Sequence, residues 1–114
     1  TLEAPIKDKP SGGFYNKIRK FLDRNSLDIV QEEVVKKGKE FDFVVNVKTS
    51  LGVLRYYLKS KDKKSINEAD LSLAVSEGKH KKLPIVFLSN GRLTKKAQEF
   101  LNSRLRNQLL FKKV

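Results

Sequence analysis

The pattern of apolar and polar residues predicts a chain of alternating helices and strands. Within residues 11–24, apolar side chains recur at the i, i+4, i+7 and i+8 spacing of an amphipathic helix, at Phe14, Ile18, Phe21 and Leu22. A capping box of Ser65 and Glu68 predicts the start of a second helix, which Gly78 is expected to end. Thr94 is the expected N-cap of a third helix.

The two later helices are each expected to bury one apolar stripe against the rest of the domain. In the second helix the stripe consists of Ile66, Ala69, Leu73 and Ala74. In the third helix it consists of Ala97, Phe100, Leu101 and Leu105.

A period of two residues predicts the strands. Residues 29–35 form a candidate strand, and a firmer one covers residues 40–48. A turn separates the latter from the run 53–59, so these two segments should pair as an antiparallel hairpin. The continuous apolar run 84–88 predicts a strand covered on both faces at the centre of the sheet, and residues 109–111 form the last strand. The expected order is α-β-β-β-α-β-α-β, an α/β fold class.

The chain has room for one compact domain, since it contains 114 residues. Residues 1–10 mix charges with two prolines and lack periodicity, which predicts a linker or disordered arm before a single domain at residues 11–114. Because the sequence opens at Thr1 and contains no Met, we expect it to be part of a longer polypeptide.

The charge balance is strongly one-sided. Lys and Arg number 25 against 13 acidic residues, a formal net charge of +12. On so small a surface this creates a positive field that attracts polyanions, so nucleic acid is the expected partner.

Several classes of protein are poor candidates. Because the chain has no Cys and a single His, His80, disulfide frameworks, zinc enzymes and Ser-His hydrolases are disfavoured, and His80 itself is expected to be solvent-exposed. The longest apolar runs fall far below the roughly 20 residues that cross a bilayer, and no signal peptide opens the chain. We expect a cytoplasmic protein without a membrane partner, associated with the nucleoid if it binds DNA.

Two polar residues of the predicted hairpin are candidates for a shared site. Asp42 lies in the strand Phe41-Asp42-Phe43-Val44-Val45, on the opposite face from its Phe neighbours. Tyr57 and Lys59 share one face of the partner strand, so that Asp42 and Lys59 could meet in space. A basic stretch and the capped helix follow at once.

This order resembles the conserved core of the restriction-endonuclease-like, or PD-(D/E)xK, nuclease superfamily, especially its Mrr-like and archaeal Holliday-junction-resolvase branches. The likeness covers most of residues 12–114, and the segment 84–97 looks like the Mrr-type strand, turn and final helix. It implies a mixed central sheet flanked by helices, on which an Asp and a Glu-x-Lys converge on Mg²⁺ or Mn²⁺. It also implies that Asp42 is a metal ligand and that Lys59 steadies the negative charge that develops while the metal activates water.

The sequence departs from that family at one position. Tyr57 stands where the family has Glu, and an alternative register ending at Lys61 again puts a cation where the acid belongs, so one metal ligand is missing. Asp70 on the helix or Glu33 before the hairpin could substitute, although both also fit solvated surface residues. We therefore expect a remnant of a catalytic site, with no cofactor unless the protein is active with Mg²⁺ or Mn²⁺.

The remaining basic residues are candidates for contacts with phosphate. The expected nucleic-acid-binding residues are Lys59, Lys61, Lys63, Lys64, Lys79, Lys81, Lys82, Arg92, Lys95 and Lys96. Each charge run also fits a solvated face. No motif for reading base edges or stacking on single strands is present, so we expect recognition of backbone and shape, with steep salt dependence.

Three functions remain open at this point. The leading hypothesis is a binding module for duplex or branched DNA, with RNA a weaker candidate, that has a nuclease-like fold and an incomplete metal site. A homodimer is compatible with this hypothesis. The second is an active Mg²⁺- or Mn²⁺-dependent DNA endonuclease with a relocated acidic ligand. The third is a protein-interaction or assembly domain whose charge only keeps it in solution.

Overall fold

The computed structural model describes residues 12–114, so the predicted arm at residues 1–10 lies outside the described residues. The elements of this part of the chain are α1 (Gly13–Arg24), β1 (Leu27–Lys36), β2 (Glu40–Thr49), β3 (Gly52–Lys61), β4 (Ser65–Ile66), α2 (Glu68–Lys81), β5 (Ile85–Ser89), β6 (Arg92–Leu93), α3 (Lys95–Arg104) and β7 (Leu109–Lys113). None of the helices in residues 12–114 has the length and apolar character required to cross a bilayer.

The main sheet has five strands in the order β1-β2-β3-β5-β7. The first three pair antiparallel, whereas β3, β5 and β7 run parallel to one another. A second, two-stranded sheet pairs β4 with β6. The expected α/β fold class with a mixed sheet is therefore confirmed, including the β2–β3 hairpin. The sequence predicts β5 at the centre of the sheet, but that place belongs to β3, and β5 lies beside it.

Helices cover both faces of the sheet and bury a separate apolar core on each. Helix α1 packs on one face, where the buried side chains include Ile18, Leu22, Phe41, Phe43 and Leu58. Helices α2 and α3 pack on the other face, where they include Tyr57, Leu71, Phe87, Ala97 and Leu109. Because neighbouring residues of a strand point to opposite faces, the α1 core takes Phe41 and Phe43 and leaves Asp42 on the face of α2 and α3.

Helix α2 begins two residues later than its sequence predicts. Its N-cap is Asn67, whose side chain accepts a hydrogen bond from the Asp70 amide at 3.0 Å, while the Asp70 carboxylate accepts one from the Asn67 amide at 3.0 Å. The predicted box of Ser65 and Glu68 is wrong because Ser65 is extended and pairs with β6. A capping box is present, but tertiary pairing decided its position.

The end of α2 and its buried stripe also differ from the prediction. The helix continues through Gly78 to Lys81 and ends at Lys82 in the left-handed conformation, with φ 60°. Gly78 is instead a point of close packing, since a Cβ there would overlap Cγ1 of Ile85. With the cap shifted by two residues, the buried face consists of Asp70, Leu71, Ala74, Val75 and Gly78, whereas Ala69 and Leu73 are exposed.

Candidate functional site

Asp42 and Lys59 lie side by side on the face of α2. They are direct partners in the antiparallel ladder between β2 and β3. The ammonium Nζ of Lys59 is 3.1 Å from Oδ1 of Asp42, and Lys59 is only 2% exposed. The two residues that the sequence singled out are therefore together in space, and Lys59 is a buried cation rather than a surface one.

Two further carboxylates reach the same ammonium. Glu40, two residues before Asp42 on β2, is 2.5 Å from Lys59 Nζ, and Glu77 on α2 is 3.3 Å away. Neither was predicted from the sequence. The period of two along β2 could have indicated Glu40, but Glu77 lies far along a helix whose docking the sequence does not specify. We call Lys59, Glu40, Asp42 and Glu77 the buried charge cluster.

Tyr57, which stands where the resembled family has its Glu, closes one side of this cluster. It is fully buried, and its hydroxyl donates a hydrogen bond to Oε1 of Glu77 at 3.1 Å. Lys81 near the end of α2 places its ammonium 5.5 Å from the centre of the Tyr57 ring. Burial, together with the charges of Asp42 and Glu77, raises the pKa of Tyr57, which therefore stays a neutral donor.

Burial and charge act in opposite directions on the two central groups. Burial lowers the pKa of Lys59, but the hydrogen bond to Glu40 and the charge of Asp42 outweigh it, so the pKa of Lys59 is raised and the ammonium stays protonated. Burial also raises the pKa of Asp42, and the charge of Lys59 opposes this without cancelling it. The cluster thus combines an ammonium that stays protonated with an Asp42 carboxylate whose ionised form is disfavoured by burial.

The two acids considered as substitutes for the missing Glu differ in their surroundings. Asp70 is already engaged, because its carboxylate accepts from Lys61 at 2.9 Å and from Lys63 at 2.7 Å besides capping α2. Burial raises the pKa of Asp70, but these hydrogen bonds lower it by more than burial raises it. The pKa of Asp70 is therefore below its ordinary value. Glu33 on β1 is the ladder partner of Asp42 and is exposed.

The side chains of this site do not fit a divalent metal ion. Within residues 12–114, no group of three or more His, Cys, Asp or Glu side chains is arranged to hold one. Mg²⁺ and Ca²⁺ take about six or more oxygen ligands at distances of roughly 2.0–2.6 Å. The centre of these carboxylates is instead filled by the ammonium of Lys59.

The basic residues predicted to bind nucleic acid divide between the two ends of the sheet. Helix α2 has 14 residues, about 21 Å, and runs from the carboxyl end of β3 back to the amino end of β5. Lys79, Lys81 and Lys82 therefore lie at the opposite edge from Lys64 and its neighbours. The structure does not bring the predicted residues into one cluster, and it removes buried Lys59 from contact with solvent.

Several exposed basic residues, Lys64 among them, lie at one end of the strands of the sheet. The carboxyl ends of β3, β5 and β7 lie there, and the β1–β2 turn joins them because Asp62 donates its amide hydrogen to the Lys39 carbonyl at 2.7 Å. We call this the strand-end surface, and its basic residues are Lys37, Lys39, Lys63, Lys64, Arg92 and Lys113. Lys95 and Lys96 begin α3 just after β6. The sequence did not indicate Lys37, Lys39 or Lys113, because strand pairing brings them to this edge.

Two cavities show how differently charged these regions are. A cavity of about 230 Å³ in the strand-end surface is lined by the basic residues Lys63, Lys64, Arg92 and Lys113, together with Asp62, Asn90 and Gly91. A cavity of about 390 Å³ beside Asp42 is lined by Gln31, Glu32, Glu33, Asp42, Phe43, Val44, Tyr57 and Lys81. Phosphate is attracted to the first, whereas the carboxylates of the second repel it.

Comparison with known proteins shows that the fold of this chain is similar to that of two solved structures. No protein family and no curated protein matches the sequence. The MspJI restriction endonuclease, solved in complex with a 27-mer oligonucleotide, is similar over 86% of this chain with a TM-score of 0.54 and 8% identity. The DNA modification-dependent restriction endonuclease AspBHI is similar over 85% with a TM-score of 0.50 and 14% identity. The domain therefore has the restriction-endonuclease-like fold, and it spans 24% and 27% of those two chains, about a quarter.

Proposed function

We propose that this domain binds DNA, duplex or branched, through the strand-end surface, and that it does not cut DNA because its metal site is incomplete. On this proposal the chain is a degenerate relative of the PD-(D/E)xK nucleases, closest in pattern to their Mrr-like and Holliday-junction-resolvase-like branches. It needs no resident metal or other cofactor. A fold alone does not define an activity, so the function of this domain follows from its site.

The observation that carries the proposal is the concentration of exposed cations at the strand-end surface. Lys63, Lys64, Arg92 and Lys113 line one cavity there, and two acidic residues of the neighbourhood are already engaged by other side chains: Asp62 by Asn90 and Asp70 by Lys61 and Lys63. Polar ligands bind at the carboxyl ends of parallel strands in many open α/β sheets. Exposed Lys and Arg side chains at such an edge can neutralise backbone phosphates and release their counterions.

The proposed lack of cutting follows from the side chains around Asp42. Tyr57 supplies a hydroxyl where a carboxylate would be needed, and Lys59 is engaged by three acids. A phosphodiester entering the cavity beside Asp42 meets Glu32 and Glu33 without a divalent cation to offset them. The chemistry of phosphodiester hydrolysis in this superfamily requires such a cation.

Binding of labelled DNA across a series of KCl concentrations tests the proposal. The affinity for a duplex and for a four-way junction should fall steeply with salt, and each lost phosphate contact should reduce the slope by about 1. The triple variant Lys64→Gln, Arg92→Gln, Lys113→Gln should weaken binding strongly. An RNA duplex of the same sequence is measured in parallel.

A second triple variant serves as the control: Lys79→Gln, Arg104→Gln, Arg106→Gln. It removes the same charge from the opposite end of the parallel strands, where α2 and α3 end. It should retain most of the affinity. Equal losses from both triples would contradict the strand-end surface as the binding site. If the wild-type protein binds neither DNA nor RNA at low salt, the proposed function is wrong and an assembly domain is the better account.

A further inference from the structure

The ammonium of Lys59 lies at the point on which the carboxylates of the site converge. Glu40, Asp42 and Glu77 each place one oxygen 2.5–3.3 Å from its Nζ. The first two come from β2, the strand beside β3 in the sheet, and Glu77 comes from α2, which covers this face. The cation is therefore enclosed by the neighbouring strand and by the helix above it.

The chemistry of this centre matches an ammonium group. An ammonium carries three N–H donors and no acceptor, so it can face three carboxylates at once. The contacts with Asp42 at 3.1 Å and Glu77 at 3.3 Å have the length of ion pairs and lie beyond the metal–oxygen distances that Mg²⁺ or Ca²⁺ requires. Lys59 cannot swing out to solvent without opening the core, because it is 2% exposed and ranks among the largest fully buried side chains.

Asp42 depends on this cation more than its neighbours do. Its Oδ1 is the one buried side-chain oxygen or nitrogen, among the residues described, that lacks a hydrogen-bond partner. The Lys59 ammonium lies 3.1 Å from it as an ion pair. Removal of the positive charge would leave a buried, uncompensated carboxylate, which is strongly destabilising.

We propose that the Lys59 ammonium is a permanent internal cation that takes the place of a divalent metal and keeps Mg²⁺ and Mn²⁺ out of this centre. This inference rests on the proposed function and deepens it, since it gives a physical reason for the incomplete metal site. On this proposal the three carboxylates that converge here are neutralised by a side chain of the protein itself and not by a bound metal.

A Mn²⁺ titration of the intact chain tests this, with free Mn²⁺ followed by its electron paramagnetic resonance signal. Wild-type protein should show no saturable Mn²⁺ site, and millimolar Mn²⁺ should not raise its melting temperature above that in KCl of equal ionic strength. Lys59→Met should melt at a lower temperature without metal, bind one Mn²⁺, and regain part of the lost melting temperature. EDTA should reverse that gain.

Two results would overturn the inference. One is a saturable Mn²⁺ site in the wild type that disappears in Asp42→Asn. The other is a folded Lys59→Met that binds no Mn²⁺, whatever its melting temperature. If Lys59→Met fails to fold, the double variant Lys59→Met, Glu77→Gln replaces it, since it buries one negative charge fewer. The same Mn²⁺ titration is applied to it, with the same outcomes.

DNA binding measured on the same samples separates this inference from the proposed function. A wild-type protein that binds both DNA and Mn²⁺ at Asp42 defeats the internal cation but leaves DNA binding in place. A protein that excludes Mn²⁺ yet binds no DNA retains the internal cation and loses the proposed function.

Discussion

Gly91 packs directly against the backbone of Lys63, and this contact holds together the two loops that carry the strand-end surface. A Cβ at Gly91 would overlap the Lys63 carbonyl oxygen and lie 2.7 Å from that of Lys64. The amide of Arg92, next in the chain, donates to the Lys64 carbonyl at 3.0 Å. The absence of a side chain at Gly91 thus lets the basic residues of the two loops share one cavity.

Gly91→Ala should therefore displace one loop from the other. Because the atoms in the way are backbone atoms, we expect a loss of about 1–3 kcal/mol in the free energy of unfolding, together with weaker DNA binding. Urea unfolding and DNA titrations check both effects. Gly13→Ala at the start of α1 is the control, since no atom lies within 4 Å of its added Cβ, and it should be neutral or slightly stabilising. Unchanged stability and affinity in Gly91→Ala would contradict the packing described.

Lys59→Met should be strongly destabilising in the absence of divalent metal. It removes the cation from three partly buried carboxylates, and the loss of one partner from a buried ion pair typically costs about 3–5 kcal/mol. Lys48→Met tests the effect of removing a Lys at the surface, since the side chains of Lys48 and Asp28 are exposed and 3.9 Å apart, and it should change stability by less than about 0.5 kcal/mol. Equal effects of the two substitutions would show that the buried charge cluster contributes nothing.

Asp70→Asn should reveal a contribution that depends on pH. The pKa of Asp70 is lowered in the folded chain, so its ionised form stabilises the fold above the ordinary value of 3.8, and this stabilisation is lost as the pH falls through the folded pKa. The amide that replaces the carboxylate keeps an oxygen for capping but loses the charge that holds Lys61 and Lys63. We expect a deficit of about 1–2 kcal/mol at pH 7.

The deficit of Asp70→Asn relative to the wild type should shrink below about pH 4, when the wild-type carboxylate is itself protonated. Urea unfolding of both proteins at pH 7, 5 and 3 measures this. Asp23→Asn, at an exposed site on α1, shows the effect of removing a carboxylate that caps no helix. A deficit of Asp70→Asn that stays constant down to pH 3 would contradict the assignment.

Much of the fold could be predicted because it depends on local pattern. The alternation in β2 and β3 predicted the hairpin and the shared face of Asp42 and Lys59 without knowledge of any other element. The start of α2 could not be placed in the same way. Ser65 and Asn67 both have side chains suited to an N-cap, and the choice was made by the pairing of Ser65 with Arg92, nearly thirty residues away in the chain.

The candidate site was predictable only in part, for the same reason. The sequence predicts that Lys59 shares a site with Asp42 and also contacts phosphate, whereas docking of α2 brings Glu77 over Lys59 and buries it. Lys39 and Lys113 join the strand-end surface because β2 begins and β7 ends there. The residues next to Lys39 and Lys113 in the sequence do not indicate that the two lysines share a surface.

One reaction analysed on two gels tests whether the domain binds DNA without cutting it. The wild-type protein is incubated with a labelled four-way junction and a matched duplex in Mg²⁺ or Mn²⁺, and aliquots are run on native and denaturing gels. We expect a shifted complex on the native gel and intact strands on the denaturing gel, with either metal. Cleaved strands that disappear when Asp42→Ala replaces the wild type would contradict it.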